Sequence, residues 1–130
     1  MSTALKANRT VAKIVIAEDS PTQAEALTFL LEEHGFDVKR GRNGREALEL
    51  ARREAPDLII SDVMMPEVDG FELLRAVRGD ERLVTTPFIM LSAHAGEEAA
   101  REGLFEGADD TVVTPFVAED LLAIGRASCR

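Results

Sequence analysis

The sequence predicts an α/β domain built on one doubly wound, five-stranded parallel sheet with helices on both faces. Three observations predict it. Short apolar runs alternate with amphipathic stretches five times over, the mark of βα units joined by right-handed crossovers. The run Leu58-Ile59-Ile60 is apolar at consecutive positions, so both faces of that strand meet core, as in a central parallel strand. Two runs also end abruptly in acid: Ile14-Val15-Ile16-Ala17 gives way to Glu18-Asp19, and Leu58-Ile59-Ile60-Ser61 to Asp62. The carboxyl ends of strands are where open α/β sheets place their ligands.

Five strands are expected at Lys13–Ala17, Asp37–Gly41, Leu58–Ser61, Pro87–Leu91 and Thr111–Val113. The second is the most polar and belongs near an edge. Ser20-Pro21-Thr22-Gln23 reads as a capping box with proline at the first helical position. That helix turns Ala24, Leu27 and Leu31 inward and stops at Gly35. Asn43-Gly44-Arg45-Glu46 opens a second helix, with Ala47, Leu50 and Ala51 inward. Asp69-Gly70-Phe71-Glu72 opens a third, with Phe71, Leu74 and Val77 inward and Gly79 at its end. A fourth, weaker helix is expected over Glu97–Glu106 before Gly107, and a short fifth from Ala118 to about Gly125.

At 130 residues one core is the natural count, so residues 13–125 are read as one domain. Residues 1–12 lack the apolar stretch of a signal peptide and are read as a flexible leader. Residues 126–130 are read as a tail, truncated or vector-derived, because the helical pattern breaks early there. With 45% hydrophobic and 30% charged residues the chain is globular rather than disordered. A net charge of −9 argues against nonspecific binding to nucleic acid or an anionic membrane. No apolar run reaches the roughly 18 residues of a membrane span. The single cysteine, Cys129, cannot form a disulfide within the chain, which suits the cytoplasm.

The strand ends collect Glu18, Asp19, Asp62, Ser92 and Thr114 on one edge. Three carboxylates held together repel, so in the absence of a cation one of them should be pushed up in pKa. A hard cation such as Mg²⁺ or Mn²⁺ relieves that repulsion. It also makes Asp62 a candidate nucleophile toward phosphorus. Ser92 is placed to donate a hydrogen bond to a phosphoryl oxygen, and Ala93 beside it leaves access. His34, at the end of the first helix, reads as a structural cation at a helix C-terminus. His94 reads as an exposed loop histidine, with a place overhanging the expected site as the alternative. Arg40, Arg42, Arg52 and Arg53 read as solvated.

These residues resemble the receiver domain of bacterial two-component response regulators, of the chemotaxis-regulator type. The resemblance rests on Glu18-Asp19, on the run from Asp62 to Gly70 with Met64, Met65 and Pro66, on Leu91-Ser92-Ala93, on Gly107-Ala108-Asp109-Asp110 and on Pro115-Phe116. It implies a flavodoxin-like sheet of order 2-1-3-4-5. It implies Asp62 as phosphoacceptor for a phosphohistidine on a histidine kinase or phosphotransfer protein. Asp19, Asp62 and the Met64 carbonyl would ligate Mg²⁺, with Glu18 acting through a bound water. Ser92 would be the switch hydroxyl, and the Thr114–Pro115 bond would be cis. A downstream partner would meet the face of the fourth helix, fifth strand and fifth helix.

Two positions depart from the family. Thr114 stands where a lysine is usual, and Thr111 where a switch aromatic is usual. Both weaken the coupling from Asp62 to the outer surface without removing the acceptor or a metal ligand. The alternative reading is therefore a pseudo-receiver, an interaction module that works without phosphorylation. A phosphotransferase or phosphatase working through an aspartyl intermediate lacks a second acid placed as general acid and a capping insertion. A flavodoxin-like cofactor binder lacks a phosphate loop after the first strand. No basic recognition helix follows Phe116, so direct DNA binding is not expected of this chain.

Overall fold

The structure, a computed structural model, describes residues 12–63, 65, 67–92 and 110–113. Its elements are β1 (Lys13–Ala17), α1 (Pro21–Glu33), β2 (Asp37–Gly41), α2 (Gly44–Glu54), β3 (Leu58–Asp62), α3 (Gly70–Arg78), β4 (Phe88–Ser92) and β5 (Asp110–Val113). The five strands are parallel and lie in the order β2-β1-β3-β4-β5. The polar second strand is an edge and the apolar third is the centre, as expected. The fourth and fifth helices, residues 1–11 of the leader and the tail fall outside the described residues.

Boundaries move by a residue where pairing continues past the apolar run. β3 runs on to Asp62 because Asp62 pairs with Leu91. β4 is shifted to Phe88–Ser92, and β5 begins at Asp110, the partner of Ile89.

Alternation along the central strands divides the core in two. Ile14, Ile16, Leu58, Ile60, Ile89 and Leu91 pack with Ala24, Leu27 and Leu31 of α1. Val15, Ala17, Ile59, Phe88 and Met90 pack on the opposite face, with Ala47 and Ala51 of α2 and Leu73, Leu74 and Val77 of α3. Each Val, Leu, Ile, Phe or Met side chain among them contributes about 1.5–3 kcal/mol on removal from water, before entropy is counted. Leu73, not the expected Phe71, is fully buried; Phe71 and Leu50 pack on the core partly buried. Among the described residues no helix is long and apolar enough to cross a membrane.

Caps hold the helices in place. α3 has a full capping box: Asp69 accepts from the Glu72 N–H at 2.9 Å, and the Glu72 carboxylate accepts from the Asp69 N–H at 3.1 Å. α2 is capped by Asn43, which accepts from the Glu46 N–H at 2.9 Å. α1 ends at Gly35 with φ +89°. There the Gly35 N–H reaches the Glu32 carbonyl at 3.0 Å and the Phe36 N–H the Leu31 carbonyl at 3.1 Å, the double bond of a left-handed helix stop. The expected capping box on α1 is only half formed. Ser20 accepts from the Gln23 N–H at 3.3 Å, but the Ser20 N–H donates to the Glu18 carboxylate at 3.1 Å. The acid at the end of β1 has taken the donor that Gln23 would have used.

Candidate functional site

Sheet register assembles the site. Ala17 of β1 is level with Ser61 of β3, so the next residues, Glu18 just after β1 and Asp62 at the end of β3, lie side by side. Strands in register lie about 4.8 Å apart. The carboxylates of Glu18, Asp19 and Asp62 converge, each offering an oxygen within 4.8 Å of the other two. On the other side of Asp62, its β4 partner is Leu91, and Ser92 follows as the last residue of that strand. Ser92 is level with Val113, and Thr111 is level with Met90. Met64, His94, Thr114 and Pro115 lie outside the described residues.

Glu18 is 2% exposed and is held at three points. Its N–H donates to the Gly41 carbonyl at 3.1 Å. Its carboxylate accepts from the Ser20 N–H, and its carbonyl accepts from Arg40 Nε at 3.0 Å. Burial pushes its carboxyl up to about 7, with the charges of Asp62 and Asp19 adding to the rise and the Ser20 N–H opposing it. The repulsion among three clustered carboxylates adds to the rise, but burial is its chief cause. Asp19 is exposed and Asp62 partly buried. The Asp62 side chain turns back on the chain, accepting from the Val63 N–H at 2.8 Å. The fully buried Ser61 donates its hydroxyl to the Asp62 carbonyl at 2.8 Å.

This donor set fits a small divalent cation. Two oxygens bound to one Mg²⁺ at about 2.1 Å lie at most about 4.2 Å apart, close to the 4.8 Å limit within which the three carboxylates meet. The slight excess suits a carboxylate reaching the ion through water.

Arg40 is the residue that sequence reasoning missed. Expected in solvent, it instead donates from Nε to the Glu18 carbonyl at 3.0 Å and from Nη2 to the Asp19 carbonyl at 3.3 Å. The other arginines make surface pairs: Arg42 with Glu46, Arg52 with Asp80, Arg53 with Glu54. His34 lies at 3.0 Å from the Leu30 carbonyl through Nδ1, in keeping with its structural reading at the helix end.

The sequence profile of the response regulator receiver domain matches residues 14–126. Protein PilH of Pseudomonas aeruginosa is 36% identical over 112 residues, 86% of this chain and 93% of that protein. The DNA-binding dual master transcriptional regulator RpaA of Synechocystis is 37% identical over 118 residues, 91% of this chain but 49% of RpaA, so the chain spans about half of that relative. Among solved structures, the signal receiver domain of a signal transduction histidine kinase from Syntrophus aciditrophicus superposes with a TM-score of 0.83 at 42% identity, covering 91% of this chain and 89% of that one.

Proposed function

Because the chain belongs to the family of response regulator receiver domains, we propose that it is a phosphoacceptor whose Asp62 takes a phosphoryl group from the phosphohistidine of a histidine kinase or phosphotransfer protein. The observation that carries this reading is the convergence of Asp62 with Glu18 and Asp19 within 4.8 Å at one sheet edge.

Asp19 and Asp62 would hold Mg²⁺ or Mn²⁺ directly, with the Met64 carbonyl, and Glu18 through a water. The bound cation supplies neutralisation of the charge on the phosphoryl oxygens. The bond from Val63 N–H fixes the Asp62 carboxylate plane. A carboxylate oxygen of Asp62 then forms a bond to phosphorus as the phosphorus–nitrogen bond breaks, the electron pair leaving with the donor imidazole. Later attack by water returns the carboxylate and releases phosphate. The chemistry is performed on the protein itself, which makes it a switch rather than an enzyme with an external substrate. Ser92 donates to a phosphoryl oxygen and carries the change toward the face of the fourth helix, β5 and the fifth helix, where a downstream protein docks in the cytoplasm.

Thr114 and Thr111 favour a second reading, in which the same fold acts as a phosphorylation-independent module. Intact-mass spectrometry after incubation with Mg²⁺ and acetyl phosphate separates the two. A gain of one phosphoryl group that vanishes in Asp62→Asn supports the acceptor. No gain from folded protein, and no binding of beryllofluoride, leaves the second reading standing.

A further inference from the structure

We infer that Arg40 is a positioning residue for the cation site, holding the backbone of Glu18 and Asp19 so that their carboxylates converge with Asp62. The inference rests on the cation-binding reading of that site. Arg40 lies on the edge strand β2, level with Ile16 of β1. From there its guanidinium spans two successive carbonyls of the turn that follows β1, at 3.0 and 3.3 Å. A planar fork that holds two neighbouring carbonyls fixes the peptide between them. That peptide joins Glu18 to Asp19, and its orientation decides where both side chains start. Glu18 has further anchors in Gly41 and Ser20. Asp19 is exposed, so the tie at its carbonyl matters most for its carboxylate.

Arg40 has two effects of opposite sign on a bound cation. Its positive charge repels the ion, whereas its grip on the turn orders the ligands. Arg40→Lys keeps the charge but cannot span both carbonyls with a rigid fork. Arg40→Gln removes the charge and the fork together. If positioning dominates, both variants bind the cation more weakly. If charge alone matters, Arg40→Gln binds more tightly and Arg40→Lys binds like the parent.

The experiment is calorimetric titration of the full chain with Mn²⁺, for the parent, Arg40→Lys, Arg40→Gln and Asp62→Asn. Thermal melts of each confirm the folded fraction, and amide exchange of Glu18 and Ser20 reports the turn. The expected result is about a tenfold loss of Mn²⁺ affinity in both arginine variants, with faster exchange at Glu18 and Ser20. Parent-like affinity in both variants overturns the inference while leaving the cation site intact, as does tighter binding in Arg40→Gln. Should Arg40→Gln fail to fold, the Arg40→Lys titration decides. Absence of parent binding that Asp62→Asn removes overturns the cation site and the inference together.

Discussion

The start of α3 presses so closely on the end of β3 that a Cβ on Gly70 would lie 2.3 Å from the Asp62 carbonyl oxygen. Met90 Sδ and Val63 Cα would each be 3.0 Å from the same atom. The nearest obstacle is backbone, which cannot swing aside as a side chain would. The Gly70 N–H also bonds the Val63 carbonyl at 2.9 Å, closing the turn after Asp62. Gly70→Ala therefore displaces the end of β3 at Asp62. It should cost about 1–3 kcal/mol in urea unfolding and weaken Mn²⁺ binding in the folded fraction. Parent-like stability would show that the helix start can retreat freely.

Gly35 offers a cleaner case of backbone strain. A Cβ there would meet nothing within 4 Å, yet its φ of +89° disfavours any L side chain. Gly35→Ala should cost on the order of 1 kcal/mol. Cation affinity should stay at the parent value, because α1 ends at the opposite edge of the sheet from Asp62. A drop in affinity equal to that of Gly70→Ala would contradict this division of roles.

Glu18 makes the metal-free protein pH-sensitive. Its carboxyl is raised from 4.5 to about 7, chiefly by burial and then by its acidic neighbours. The folded state thus holds a proton that the unfolded state has released. Its contribution is absent below 4.5 and destabilises progressively as pH rises toward 7. The full penalty is on the order of 3 kcal/mol. Glu46, lowered to about 2 by Arg42, acts with the opposite sign, stabilising above its ordinary 4.5 and losing that effect as pH falls toward 2. The two windows do not overlap. In chelator, Glu18→Gln should match the parent near pH 5 and exceed it in stability near about pH 8. Equal stability at both values would count against a buried, raised Glu18.

The acidic edge was legible because strand-end acids fall at one place once the runs are read as parallel strands. Glu18, Asp19 and Asp62 needed only the alternation of elements and the register that follows from it. The start of α3 was equally open to reading from Asp69-Gly70-Phe71-Glu72, and the structure completes it as a capping box. Arg40 was not legible. Its partners lie 22 and 21 residues away, and although the expected strand order puts β2 beside β1, nothing in the sequence says that this side chain reaches over the strand end. The Ser20 N–H was misassigned for a related reason: Gln23 has the right spacing, but a buried carboxylate two residues upstream is the stronger acceptor. Leu73 falls one turn from both Gly70 and Val77 and so lies on the buried stripe, whereas Phe71, roughly 200° around the helix from Leu73, sits at its margin beside Leu74.

A cation that binds only the folded state should raise stability by mass action. At a hundredfold excess over its dissociation constant the gain is about 2.7 kcal/mol. Saturating Mg²⁺ should therefore raise the melting temperature of the parent, and chelator should reverse the rise. Asp62→Asn and Asp19→Asn should lose most of the increment. Without metal, Asp62→Asn should be slightly more stable than the parent, because one of three mutually repelling carboxylates is gone. An undiminished Mg²⁺ response in both variants would place the cation elsewhere.

Thr114 sets the last test, on the coupling between phosphorylation and response. A ligand shifts a two-state equilibrium only by its differential contacts with the two states. Threonine is uncharged and short, so a phosphoryl group on Asp62 gains no ammonium contact from this position. A charge-assisted hydrogen bond is worth roughly 1.5–3 kcal/mol, enough to change the active population by about tenfold or more. Thr114→Lys should enlarge the phosphorylation-induced change, read as the difference in amide chemical shifts or exchange with and without beryllofluoride. Mg²⁺ binding should survive the substitution, weakened somewhat by the added charge. An unchanged response in folded, beryllofluoride-bound Thr114→Lys would mean that the parent reaches its active state by contacts other than the one that lysine supplies.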